Sequence, residues 1–298
     1  MQASWMILAA FLFATMGVCI KWASAWFGSF EIVFYRGLIG LAFMAVLMRW
    51  RGVSVRTPVP SMHFWRSVVG TTALTTWFFS IGLLPLATAM TLNYMSSVWI
   101  AAFLVGAALL IQKQGEVVKE QGPLILTVLA GFGGVALMLQ PTMAEGQLFG
   151  GLLGLVSGVF SALAYLQVAA LAKAGEPESR TVFYFSVGAT LVGGCGMAIQ
   201  GQASWAWPQA LWLLPIGLLA VLGQLCMTRA YASGSTLLVA NLQYLGIVFA
   251  GLYSLWLFDD DMPLVGWVGM ALIIASGILA TLLRARALPQ SPPEDHAS

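Results

Sequence analysis

The sequence predicts an all-α integral membrane protein, with ten transmembrane helices arranged as two inverted five-helix repeats around a central cavity. Three observations lead there. Apolar stretches of about 20 residues, each able to cross a bilayer core of about 30 Å, recur along the whole 298-residue chain. Hydrophobic residues make up 60% and charged residues 8%, against about a quarter charged in soluble domains, and the mean hydropathy is +0.89. The third is an internal echo. Laid over each other, Ser80–Ile111 and Thr228–Asp259 align Thr88 with Thr236, Asn93 with Asn241, Ala102 with Ala250, Leu104 with Leu252 and Leu109 with Leu257. Val33-Phe34-Tyr35 returns as Val182-Phe183-Tyr184 at nearly the same offset.

Taken in order, the spans fall at 4–22, 30–48, 66–84, 88–111, 123–140, 149–171, 181–200, 210–229, 235–258 and 263–283. The first stretch lacks a basic leader and a cleavage site, so it reads as a retained helix and not a signal peptide. The connectors are too short to hold a soluble domain. Residues 1–140 form the first repeat, 149–284 the second, and the polar, Pro-rich 287–298 a disordered tail.

Charge placement sets the orientation. Arg49, Arg51, Arg56 and Arg66 surround the second connector, Lys113 and Lys119 lie in the fourth, and Lys173 and Arg180 in the sixth. Arg229 borders the eighth, and Arg284 and Arg286 follow the last span. Of the 13 basic residues only Lys21 and Arg36 lie on the other side. By the positive-inside rule the crowded side is cytoplasmic, so both termini are cytoplasmic in a bacterial-type inner membrane. The opposite connectors carry Glu31, Glu145 and Asp259-Asp260-Asp261, read as a solvated helix end. With five spans in each half, the two copies must enter the membrane in opposite senses, as in many secondary transporters.

With ten spans in two inverted halves, the run Glu31-Ile-Val-Phe-Tyr-Arg36 opening the second span and the turn Leu84-Pro85-Leu86-Ala87 before the fourth, the chain resembles the EamA-type families of the drug/metabolite transporter superfamily. That resemblance covers nearly the whole length. It implies a cavity bounded by spans 3, 4, 8 and 9, flanked by 1, 2, 6 and 7, with 5 and 10 peripheral, and it implies export, with amino acids a frequent cargo. The second half departs from the opening motif, because Phe185 stands where Arg36 does.

Polar side chains in a bilayer face protein or water, so their stripes point to a lumen. Asn93, Ser96 and Ser97 share one face of span 4; Asn241 and Tyr244 take matching positions in span 9, with Gln243 to the side. Ser157, Ser161 and Tyr165 line span 6, Gln224 and Thr228 span 8, and Thr72, Thr76 and Ser80 accompany Trp77 in span 3. The competing reading has Ser and Thr bonding their own helix backbone and the asparagines joining helices. Trp77, Tyr94, Trp99, Tyr165 and Tyr244 are candidates to stack on a ligand, or else packing and interface residues. Arg36 either snorkels outward or gates the outer mouth and attracts a carboxylate, and Lys21 is placed to pair with Glu31 across the first outer connector. Gly134, Gly154, Gly158 and Gly269 suit close helix approach.

Other classes are excluded. Neither an intramembrane carboxylate pair nor a Ser–His pair can be assembled, since His63 falls in a connector and His296 in the tail; an enzyme is not expected. Cys19, Cys195 and Cys226 match no metal or disulfide spacing. No cofactor, metal or nucleic acid is implied. The partners are a small-molecule substrate and the lipid bilayer, and the chain is a monomer or homodimer. A lumen of neutral hydrogen-bonding groups and aromatics suits a neutral or zwitterionic solute, first of all an amino acid. A larger flat metabolite such as a vitamin, nucleoside derivative or S-adenosylmethionine is the alternative cargo, and a channel or scaffold the alternative class.

Overall fold

Residues 2–96, 98–100, 102–103, 106, 122–123, 125–137, 147–201, 207–233, 242–260 and 263–287 are described by a computed structural model. Their regular structure is helical. In chain order the helices are α1 (Gln2–Ala23), α2 (Ser29–Trp50), α3 (Pro60–Leu83) and α4 (Leu86–Tyr94), α5 (Ile125–Leu137), and α6 (Leu148–Lys173), α7 (Glu178–Gln200), α8 (Leu213–Ser233), α9 (Leu245–Leu257) and α10 (Leu264–Ala287). Among the described residues, five segments, covering α1, α2, α6, α7 and α8, are long and apolar enough to cross a membrane. Large apolar side chains stand on the outside of the bundle: Val46, Leu191, Ile199, Trp256 and Leu264 are all more than half exposed. Such a surface is at home in lipid and not in water. This is a multi-pass membrane protein.

Local chemistry explains the helix ends. α2 ends where Gly52 takes φ +65° and α6 where Gly175 takes φ +79°, the left-handed conformation that costs glycine nothing. In each case the amide beyond the glycine reaches back to a last-turn carbonyl, Val53 to Met48 and Glu176 to Leu171, closing a Schellman cap. α3 opens with Pro60 in its first turn, where a missing N–H is harmless. The helix therefore begins well before the predicted 66, and it takes in His63 and Arg66, both buried. The reading of His63 as a connector residue and of Arg66 as a charge beside the connector, at the first residue of its span, is corrected by this earlier start.

α4 is followed by a turn at Met95 and α9 is preceded by one at Tyr244, and both residues keep right-handed helical dihedrals. Across Met95 the bonds from Met95 N to the Thr91 carbonyl and from Trp99 N to the Met95 carbonyl continue the helical direction.

Packing is between the halves. α2 lies along α7, α3 along α6, α1 along α8, and α4 against α9; α2 also meets α8, α3 meets α7, α4 meets α6 and α1 meets α9. This set of pairs is unchanged when α1–α4 are exchanged with α6–α9. The α2–α7 pair is antiparallel and held close by glycines. A Cβ on Gly37 would come within 2.6 Å of the Thr190 nitrogen, one on Gly40 within 2.9 Å of Ser186 Oγ, and one on Gly193 would overlap the Phe34 backbone. Gly154 and Gly158 of α6 face Leu92 of α4, and Gly134 of α5 faces the Gly269 carbonyl of α10. Hydrophobic burial then runs through one large core built mainly on α1, α3, α4 and α8.

Candidate functional site

A small cavity of about 50 Å³ lies inside the bundle, lined by residues of α1–α4 and α6–α8. Its walls are aromatic and apolar, with Phe13, Leu74, Trp77, Tyr94, Phe185 and Met227, and its polar groups are Asn93, Ser161, Tyr165, Gln224, Arg36 and Arg66. The two arginines dominate the chemistry. Each is 4% exposed. Arg36 reaches from α2 and Arg66 from α3 to the Phe185 ring of α7, with Cζ 5.1 Å and 4.4 Å from the ring centroid. Arg66 can lie there because Gly70, one turn later, has no side chain. A Cβ at Gly70 would overlap Arg66 Nη1 and meet Phe185 Cε2 at 3.0 Å.

Neither guanidinium pairs with a carboxylate among the described residues, and Arg36 Nε, Arg66 Nε and Arg66 Nη1 are buried without a hydrogen-bond partner. The expectation of a lumen without charge is thus corrected: its centre is cationic. Sequence reasoning missed Arg66 because a basic residue at a span boundary looks like a positive-inside marker. Pro60 was the available signal, since it places Arg66 two turns inside a helix. Phe185 was noticed only as a departure from the repeat.

The other predicted residues divide into groups. Trp77, Asn93, Tyr94, Tyr165 and Gln224 are on the cavity wall with Arg36. Asn93 also joins helices, donating from Nδ2 to Ser157 Oγ and Ser161 Oγ of α6, both at 3.0 Å. Tyr165 stacks on Tyr231 at 5.8 Å and accepts from Gln243 Nε2, while Tyr231 donates to Gln243 Oε1. Gln243, set aside in the sequence reading, is therefore a ninth-span residue tied to the cavity wall. Trp99 faces α5, edge-on to Phe132 at 4.9 Å, and Tyr244 lies over Gly277 of α10; neither reaches the wall. Ser97 and Asn241 lie outside the described residues.

Thr72 and Thr76 bond backbone carbonyls of their own helix, at Val68 and Thr72, which leaves little of the span 3 stripe for a ligand. Lys21 donates to the Leu84 carbonyl between α3 and α4, and Glu31 accepts from the Gly28 amide at 2.8 Å at the start of α2. Neither is among the residues lining the cavity.

At the opposite end of the bundle the α2–α3 and α6–α7 connectors are latched. Glu176 accepts from Thr57 Oγ1 at 2.9 Å and from Arg180 Nη1, and it meets His63 Nε2 at 2.9 Å. Arg180 Nε donates to the Ser54 carbonyl, and Tyr184 donates to that of Val55 while stacking on His63. Burial opposes the Glu176 charge, but the His63, Arg180 and Thr57 hydrogen bonds and the Arg180 charge outweigh it, holding the carboxyl below its ordinary value.

No family model matches the chain. It is 34% identical over 278 residues to the pseudopaline exporter CntI of Pseudomonas aeruginosa strain UCBPP-PA14, covering 92% of this chain and 90% of that one. The protein of the same name from a second strain is 33% identical. A Helicobacter pylori protein described as an uncharacterized transporter is 27% identical over 289 residues, with 94% of each chain covered. A solved crystal structure shares the fold, with a TM-score of 0.65 at 18% identity over 95% of this chain and 98% of its own. The chain belongs to the family of membrane transporters that includes the pseudopaline exporter CntI.

Proposed function

We propose that this protein exports a small carboxylate-bearing metabolite across a bacterial-type inner membrane, by alternating access between two inverted five-helix repeats of the EamA type. The observation that carries the cargo class is the buried pair Arg36 and Arg66. Burying an ion costs several kcal/mol even after relaxation, whereas a ring face returns about 2 kcal/mol to a desolvated cation. Two guanidinium groups without a carboxylate partner among the described residues are therefore under-compensated by Phe185 alone, and a ligand carboxylate meets the shortfall through paired N–H donors. Trp77 and Tyr165 supply apolar surface for the rest of the solute.

The repeat reading draws support from the packing pairs that survive exchange of α1–α4 with α6–α9. Amino acids remain within the proposed class through their α-carboxylate, and pseudopaline, named for the relatives' export, is the first compound to test. The protein acts as a carrier without enzymatic chemistry.

The test is flux into inside-out proteoliposomes of pseudopaline, aspartate and leucine, each against its amide where one exists. Saturable flux of the carboxylates, stimulated by counter-flow and reduced tenfold or more (about 1.4 kcal/mol or more) in Arg36→Gln and in Arg66→Gln, is expected. Equal flux of amides and carboxylates, unchanged in both variants, would sink the anion reading.

A further inference from the structure

We propose that Phe185 is a positioning residue for the arginine pair, and that the second repeat's departure from the first at this place is what makes the cavity an anion site. The inference rests on the anion reading above. Val33-Phe34-Tyr35-Arg36 of α2 is echoed by Val182-Phe183-Tyr184-Phe185 of α7, and α2 and α7 pack antiparallel against each other. Near their crossing the Arg36 side chain reaches along α7 to the Phe185 ring, so the corresponding positions 36 and 185 meet. Arginine in both copies would crowd a third guanidinium against Arg36 and Arg66. A carboxylate at 185 would pair with them and spend the donors that a ligand needs. An aromatic ring does neither.

The geometry shows how it acts. Phe185 is 3% exposed and both Cζ atoms lie over its ring, within about 6 Å of the centroid as a cation–π contact requires. The attraction of a ring for a guanidinium acts on the charge and takes no N–H donor. Three of those nitrogens, Arg36 Nε, Arg66 Nε and Arg66 Nη1, have no protein partner. The ring thus holds the charges in place without using their hydrogen bonds. Gly70 completes the arrangement by leaving room for Arg66 beside Phe185.

Two measurements on purified full-length protein in nanodiscs test this, using wild type, Phe185→Leu and Phe185→Tyr, with Phe185→Met replacing the leucine variant should that one fail to fold. The first is the Hε–Nε NMR resonance of Arg36 and Arg66, assigned through the arginine variants. An aromatic ring-current shift that is kept by tyrosine and lost with leucine is expected. The second is KM and kcat for the best-transported carboxylate of the panel. Leucine should raise KM about tenfold with kcat little changed, and tyrosine should restore KM to within about threefold. An unchanged KM with leucine, or tyrosine as impaired as leucine, overturns the proposal. If wild type moves no carboxylate yet the ring-current shifts behave as expected, the anion reading falls and the positioning role stands.

Discussion

Arg66 makes its contacts through what its neighbours lack. Gly70 has no Cβ, Phe185 offers a face, and the described carboxylates stay away. Gly70→Ala is expected to keep the fold and to swing Arg66 off the ring, cutting carboxylate flux about tenfold; normal thermal unfolding with normal flux would show that Arg66 does not need its present place. Arg66→Lys keeps the charge but loses the planar fork, so it should fall well short of wild type in the same assay. At the latch, the Glu176 carboxyl is held below its ordinary value. Its contribution is complete above the unfolded-state value and vanishes as pH falls through the depressed folded-state value. Detergent-solubilised wild type should therefore lose unfolding free energy on acidification, through and below the ordinary carboxylate range. Glu176→Gln should lack that step and start lower, because the amide cannot form the ion pair with Arg180.

Among elements, the α2–α7 pair shows most directly how residue size sets helix distance. A Cβ at Gly193 would overlap the Phe34 backbone, which cannot swing aside as a side chain can. Gly193→Ala is expected to destabilise by about 1–3 kcal/mol through overpacking. Gly133 of α5 is exposed, with nothing within 4 Å of its missing Cβ, so Gly133→Ala should stabilise by up to about 1 kcal/mol through helix propensity. Equal effects in chemical unfolding would mean that close approach is not what the buried glycine provides. Most helix bounds were legible in hydropathy, as α2, α6, α7 and α10 differ from their predicted spans by a few residues. α3 was not: His63, Arg66 and four threonines dilute its apolar signal, and only packing against α6 and α7 makes such a segment worth burying.

For the whole molecule, the pairs of packed helices imply that each half is incomplete without the other, because most of the strong packing crosses between them. The proposed orientation has its own check. In a cysteine-free background, Arg51→Cys and Ala174→Cys, both at exposed connector positions, are expected to react with an impermeant maleimide from the cytoplasmic face only. Ala25→Cys and Gln200→Cys, exposed at the opposite helix ends, should react from the outside only. Labelling of 51 and 174 from opposite faces would contradict the single end at which their connectors are latched. Composition and the recurrence of apolar runs already determined that this chain is a helical membrane protein, and the polar stripes pointed to Trp77, Asn93, Tyr165 and Gln224. Those are local sums and periodicities, and local sums need no partner. Whether a charge is buried, and against what, depends on residues far apart in the chain: Arg66 meets Phe185, and Glu176 meets His63. Only the tertiary structure could turn a presumed cytoplasmic arginine into the centre of the cavity, because that takes three helices meeting at one ring.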